Sequence, residues 1–402
     1  MSALVDQDGD IRLADGGMYL GDVEPIYDRL LTQSPVYWYD EHRVWVVSKW
    51  ADVRDVLRDH ETFSSEKGSH FFPFDDRTPE GRAPSANVLY MDPPKHTLYR
   101  KLIMKALTPP LVKSVEPRIR SLVRQQLDGY QAGSIVDFVT TMSVPIPLLV
   151  ITEMLGLPSE DHTLYLKWAD AFGGSHLPGS DPADRQRTIE QMTEYMDGVL
   201  KQRLKTPSED LLSTLAFASE EGEHLQHGEV LQIAILMLAA GNDTTRQLLS
   251  GGVRALLRFP EERARLVADP SLIPNAVEEI LRYVSPVRYF GRVATRDTEV
   301  RGQTIKAGDA VIAYFAAANR DPEVYPDPHR LDVTRRMESM PHVAFSYGVH
   351  FCAGARLARR EAVIAFEELL GRFPDFELAG DVELEPNVML NATHSLPICP
   401  AQ

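Results

Sequence analysis

The residues best suited to chemistry lie near the end of the chain, in His342-Val-Ala-Phe-Ser-Tyr-Gly-Val-His-Phe-Cys-Ala-Gly-Ala-Arg356. Beyond this stretch, Ala358, Ala362, Ala365, Phe366 and Leu369 recur at the three-and-four spacing of a helix with one buried face. That spacing sets Cys352 just before a helix N-terminus. There the positive end of the helix dipole and free backbone N–H groups favour thiolate over thiol, and a thiolate is a metal ligand. Gly348 and Gly354 remove side chains on either side of the sulfur, which lets a flat, bulky group approach the backbone. A cysteine beside two turn glycines also fits a buried structural thiol, since free cysteine is among the most buried residue types. The surrounding motif decides between the two.

A second chemical pair interrupts a core element. From Val230 to Leu257 the chain reads as one long helix, apolar on all sides between Ile233 and Ala240, and all-round apolarity means burial. Ala240-Gly-Asn-Asp-Thr-Thr245 then puts a carboxylate and two hydroxyls into that helix. Such groups are costly to bury unless paired or solvated. Asp243 pairing with Arg246, and a threonine bonding back to the carbonyl four residues earlier, would satisfy them structurally. A proton relay is their chemical use.

Other elements must position these groups. Val-Tyr-Trp-Tyr and Val-Trp-Val-Val around a polar turn predict a hairpin over 36 to 47, followed by a short amphipathic helix from Lys49 to His60. From Glu61 to Asn87 no period holds, and Phe71, Phe72 and Phe74 stand in a long irregular loop. Met91-Asp-Pro-Pro-Lys-His-Thr-Leu-Tyr-Arg100 leads into a helix with Pro94 near its first turn and His96 and Arg100 on one face. Residues 136 to 158 predict a helix interrupted by Pro145 and Pro147, and helical stretches over 163 to 172 and 183 to 203 flank a breaker-rich loop from Gly173 to Pro182. Glu279 and Arg282 form an i,i+3 pair in Ala276-Val-Glu-Glu-Ile-Leu-Arg282. Ser285 to Arg292 enters a strand, and Phe373 to Cys399 alternates apolar runs with turns that suggest hairpins.

Composition bounds the function. A formal net charge of -16 over 402 residues argues against nucleic acid and acidic membrane surfaces as partners. Two cysteines, Cys352 and Cys399, make no disulfide framework, and the start has neither a basic nor an apolar leader region, so a reducing cytoplasm is expected. No apolar run is long enough to span a bilayer, so no membrane anchor is expected. No low-complexity linker divides the chain, which reads as one domain over 1–402.

Phe345-x-x-Gly348-x-x-x-Cys352-x-Gly354 resembles the haem-binding loop of the cytochrome P450 family, with Ser346 where the family often has glycine. The resemblance implies a mainly α fold with smaller β-sheets and a long central helix crossing the haem. Its β-rich part would lie at about 30–60, its helical bulk at about 91–283 and a mixed part at 285–402. It implies haem b, with Cys352 as axial iron ligand and Phe345, Gly348, Gly354, Ala240 and Gly241 around it. The Asp-Pro-Pro-x-His-x-x-x-Arg pattern implies His96 and Arg100 on a haem propionate, joined by Arg292 and His350. Gly241 would let the central helix open for dioxygen, and Asp243 and Thr244 would relay protons to it. Glu279 and Arg282 match a structural Glu-x-x-Arg whose third member is expected to be Arg330. Substrate contacts are expected at Phe72, Phe74, Ala240, Val287, Phe290 and Asn391, under a lid at 173–182.

The implied activity is monooxygenation of a hydrophobic small molecule such as a terpenoid, steroid or fatty acid, most simply as hydroxylation, by a monomer. No flavin or dinucleotide fingerprint is present, so electrons are expected from NAD(P)H through separate ferredoxin reductase and ferredoxin chains. A patch of Arg100, Lys101, Lys105, Arg356, Arg359 and Arg360 would steer that ferredoxin. A peroxide-using enzyme of the same fold and a non-catalytic haem sensor or hydrophobic-ligand binder are the alternatives; the Asp243-Thr244 pair speaks against the first.

Overall fold

A computed structural model describes residues 11–68, 87–173 and 182–401. Phe71, Phe72 and Phe74 lie outside the described residues, as does most of the expected lid. The molecule is mostly helical with small sheets.

The expected hairpin forms, with Val36–Tyr39 antiparallel to Val44–Val47. It continues into a five-stranded sheet through Ala310–Ala313, Phe290–Ala294 and Phe63–Ser64, the Val44–Val47 and Ala310–Ala313 strands being parallel. Successive strand residues point to opposite faces. Val44, Val46, Ala310 and Ile312 therefore pack into one apolar cluster, and Val47, Val311 and Ala313 into another on the far side. The last segment forms the expected antiparallel pairs, Asp375–Leu378 with Pro397–Ala401 and Glu383–Leu384 with Thr393–Ser395.

The long helix spans His227–Arg258, 32 residues, closed at its start by a capping box between Gln226 and Glu229. Its second half is buried because two neighbours meet its backbone. A β-carbon at Gly251 would lie 2.5 Å from Val284, and one at Gly252 2.5 Å from Phe366. These glycines admit the Ile273–Val284 and Ala355–Arg372 helices, which carry Glu279 and follow Cys352 respectively.

The expected interruption is seen: a π-helical stretch over Val139–Ser143 breaks at Val144, and Pro145 then opens the α-helix Pro145–Met154, with Pro147 in its first turn. Proline's missing N–H has no intrahelical partner in a first turn anyway. Among the described residues no helix is long and apolar enough to cross a membrane.

Candidate functional site

Cys352 sits in a tight loop closed on itself: its N–H donates to the Phe345 carbonyl at 2.9 Å. Two residues between them have positive φ, Ser346 at 63° and Gly348 at 70°. Gly348 is required twice over, since a β-carbon there would also lie 2.8 Å from the Leu57 carbonyl oxygen. Gly354 has an ordinary φ of -83° and a β-carbon on it would meet no protein atom within 4 Å. Packing within the protein does not call for that glycine.

Ser346 occupies the backbone region that favours glycine, and its buried hydroxyl has no hydrogen-bond partner among the described residues. Left-handed backbone costs a serine about 1–2 kcal/mol, partly offset in any replacement by the roughly 0.5–1 kcal/mol of extra chain entropy glycine loses on folding. Ser346→Gly is therefore expected to stabilise the protein by about 1 kcal/mol, counting the orphan hydroxyl; the denaturant midpoint checks it, and a fall in that midpoint would contradict the strain.

The sulfur lies deep in the protein yet is accessible, the combination found on the floor of a cleft. Burial pushes the Cys352 thiol up, against the N–H groups of Gly354 and Ala355 and the charges of Arg100 and Arg359. Desolvation outweighs the dipole.

Around this floor four donors converge from three segments. His96 is 2% exposed, its Nδ1 has no hydrogen-bond partner among the described residues, and its ring centroid lies 4.3 Å from that of His350. His350 Nε2 lies 3.1 Å from Ser65 Oγ. Arg292, 4% exposed, donates to its neighbouring Gly291 carbonyl at 2.7 Å. Arg100 hydrogen-bonds to none of the described residues, although the charge of Cys352 reaches it. Burial, then Arg100, holds His96 down at about 4; burial, then Arg292, holds His350 at about 2; burial brings Arg292 to about 10. The nearby acid, Asp92, accepts from the Ser65 N–H at 3.0 Å. His96 Nδ1 and Arg100 are thus without a hydrogen-bond partner among the described residues, and a cluster of such donors suits an anion.

The polar break in the long helix is equally explicit. Ala240 is exposed, although Leu238 and Asn242, two residues to either side, are buried. Thr244 Oγ1 donates back to the Ala240 carbonyl at 2.8 Å. Asn242 donates to Asp243 at 3.3 Å, while Arg246 turns to Glu385 at 3.0 Å. Gly241 faces Ile151, where a β-carbon would make ordinary contact at 3.5 Å. Unlike Gly251 and Gly252, it is not demanded by helix packing.

Glu279 and Arg282 are both fully buried and joined by two 2.7 Å hydrogen bonds. The third member is Arg335, whose Nε donates to Glu279 at 3.2 Å, and not Arg330. Arg330 contributes its carbonyl to Arg282 at 3.0 Å, while its half-exposed side chain points toward Glu261 and Glu262. The chain turns at Asp327, φ 48°, and only five residues after Arg330 does a guanidinium return inward. Spacing alone carries no signal for that return.

Among the other expected residues, Val287 is buried and bridges to Leu390, and Phe290 packs against Phe315 with centroids 5.9 Å apart. Asn391 is committed elsewhere: its Nδ2 donates to the Val284 carbonyl at 2.7 Å and its Oδ1 accepts from Arg254 at 3.2 Å. Its side chain fastens a loop to two helices. Arg288 lies 4.0 Å over the Tyr19 ring and donates to the Asn387 and Leu390 carbonyls.

The basic patch is largely neutralised. Lys101 and Lys105 pair with Glu220, Arg359 with Glu278 and Arg360 with Glu116, and Arg100 turns toward the sulfur. Of the six, Arg356 alone is exposed with no ion pair among the described residues, five positions after an exposed Phe351.

Residues 162–398, more than half the chain, match the family described as Cytochrome P450. The putative cytochrome P450 YjiB of Bacillus subtilis is 36% identical over 372 residues, 91% of each chain. The vitamin D(3) 25-hydroxylase of Pseudonocardia autotrophica is 36% identical over 368 residues, 90% of this chain and 89% of the relative. The crystal structure of CYP109E1 from Bacillus megaterium in complex with testosterone superposes with a TM-score of 0.84 at 29% identity, covering 94% of this chain and 99% of that one. Set beside a cysteine loop, a donor cluster and a broken central helix in the expected order, these likenesses show that the protein belongs to the cytochrome P450 family, whose members are haem b-containing oxidoreductases of the monooxygenase type.

Proposed function

We propose that the protein inserts one oxygen atom of O2 into a hydrophobic small molecule, by hydroxylation, with Cys352 as the axial ligand of a haem held in the cleft. The carrying observation is the convergence of an accessible, deep-lying cysteine with a donor cluster in which His96 Nδ1 and Arg100 have no hydrogen-bond partner among the described residues. The residues fit the cofactor. Two propionates would satisfy His96 Nδ1, Arg100, Arg292 and His350, with each arginine able to offer two parallel hydrogen bonds. Gly354, which protein packing does not require, leaves the sulfur's flank open to a flat ring. Bound haem supplies the redox chemistry, and a thiolate ligand favours cleavage of the O–O bond.

Thr244 Oγ1 is the atom that would hold and pass on a proton. It already donates to the Ala240 carbonyl, so its lone pairs stay free to accept while its own proton can swing into the cleft. Asp243 next to it would resupply that proton. Thr244→Ala should leave electron consumption running but lower product formed per NAD(P)H by roughly 10-fold, less than the roughly 10²–10⁴-fold usual for general acid–base catalysis. Parallel assays of NAD(P)H and product check this, and unchanged coupling would remove the relay.

The relative that hydroxylates vitamin D(3) and the testosterone-bound neighbour support a steroid-like substrate. Electrons would come from NAD(P)H through ferredoxin reductase and ferredoxin. Exposed Phe351 and Arg356, close in sequence to the cysteine, support docking there better than the six-cation patch does. One apolar cluster runs from Met91 to Ile398, in keeping with a single catalytic domain.

The test is the visible spectrum of purified, haem-supplemented protein, reduced with dithionite and exposed to carbon monoxide. A strongly red-shifted Soret band is expected. Folded protein without a haem spectrum would overturn the proposal, and bound haem without the red shift would remove the thiolate from it.

A further inference from the structure

Behind the cysteine loop lies a second set of charges. His342, its side chain 4% exposed, accepts the Ala344 N–H on Nδ1 at 3.1 Å. That bond leaves the ring proton on Nε2, which points at Glu278 at 3.3 Å. Glu278 in turn accepts both arms of Arg359, at 2.6 and 2.9 Å. The Arg359 guanidinium lies 4.5 Å from the centre of the Phe345 ring, and His342 packs against the same ring, centroids 5.7 Å apart. Phe345 is the residue whose carbonyl holds the Cys352 N–H.

The chain of contacts is continuous from Glu278 to the sulfur-bearing residue. It also carries charge, because the Arg359 cation reaches Cys352 and stabilises its anionic form. Burial alone would raise the Glu278 carboxyl, but hydrogen bonds from His342 and Arg359 bring it to about 2, so it stays ionised and cancels that cation. The adjacent Glu279 faces the other way, into Arg282 and Arg335. One helix thus braces the cysteine region with two consecutive carboxylates in two directions.

We infer that Glu278, His342 and Arg359 form a charge-balanced clamp that positions Phe345 and sets the electron affinity of the centre Cys352 would hold. The inference rests on the proposed role of Cys352 as a haem ligand. Such outer groups tune a metal through orientation and local charge. Neutralising Glu278 exposes the Arg359 cation to the sulfur and favours the reduced centre; neutralising Arg359 leaves the Glu278 anion and disfavours it.

The test measures midpoint reduction potentials of the haem-loaded wild type, Glu278→Gln, Arg359→Gln and the double variant, each with its carbon monoxide spectrum. Glu278→Gln is expected to shift the potential upward and Arg359→Gln downward, with the double variant returning toward wild type. Both shifts should shrink as salt rises, since the pair is partly exposed. A merely structural clamp would move the two single variants in one direction or not at all, and either result overturns the inference. Should Arg359→Gln fail to fold, Arg359→Met keeps an apolar chain over the Phe345 ring and carries the same expected sign. Absence of the red-shifted band in wild type would instead strike the ligand assignment on which the clamp depends.

Discussion

Cys352→Ala is expected to abolish the red-shifted carbon monoxide band and to lower monooxygenase turnover by more than about 10³-fold, while the protein stays folded. The loss is large because the axial sulfur biases O–O cleavage, and a factor of 10³ asks for only about 4 kcal/mol of barrier. The other thiol cannot take over. Cys399 lies in the Pro397–Ala401 strand, paired with Glu377 in a separate small sheet. Folding should survive because the bond that closes the loop, Cys352 N–H to the Phe345 carbonyl, is made by backbone that alanine keeps. The change in unfolding free energy should stay near 1 kcal/mol, an average point mutation. A variant that kept both the band and turnover would exclude Cys352 as the ligand.

Arg282→Ala should be the most damaging change away from the cleft. The guanidinium is fully buried, grips Glu279 twice, and donates to the carbonyls of Asn319, Pro328 and Arg330 at 2.8 to 3.0 Å. Its face also lies 5.2 Å from the Tyr325 ring centre. Removing one partner of a buried ion pair costs about 3–5 kcal/mol, a third or more of the 5–15 kcal/mol that holds a typical protein together. Little folded protein is expected at 37 °C, and any that remains should unfold at much lower urea. The same measurement separates two arginines. Arg335→Ala removes a charge from buried Glu279 and should cost about 2 kcal/mol or more. Arg330→Ala, at a half-exposed side chain whose carbonyl is retained, should stay within about 0.5 kcal/mol. Equal losses for the two would reinstate Arg330 as the third member.

Much of this protein was legible in its residues because the relevant signals are local. A glycine-flanked cysteine before an apolar-periodic run, an acid and alcohol inside an otherwise apolar helix, and a polar turn between two β-branched runs each state their own backbone. The loop at Cys352, the His227–Arg258 helix and the Val36–Val47 hairpin follow directly. Family resemblance added the order in which those pieces meet.

Tertiary structure decided what each outward-facing group meets. Arg335 rather than Arg330 reaches Glu279 because a turn at Asp327 sets which side chain returns to the core. Lys101, Lys105, Arg359 and Arg360 read as free cations until Glu220, Glu278 and Glu116 arrive from distant segments. Asn391 reads as a loop residue until Val284 and Arg254 claim its amide. The Cys352 thiol is pushed up, not down, because the depth of its burial is a sum over the whole fold. Periodicity determines which face of an element turns inward, since that depends on a few neighbours in sequence. Pairing and desolvation depend on partners from 56 to 244 residues away, and only the folded chain brings them within reach.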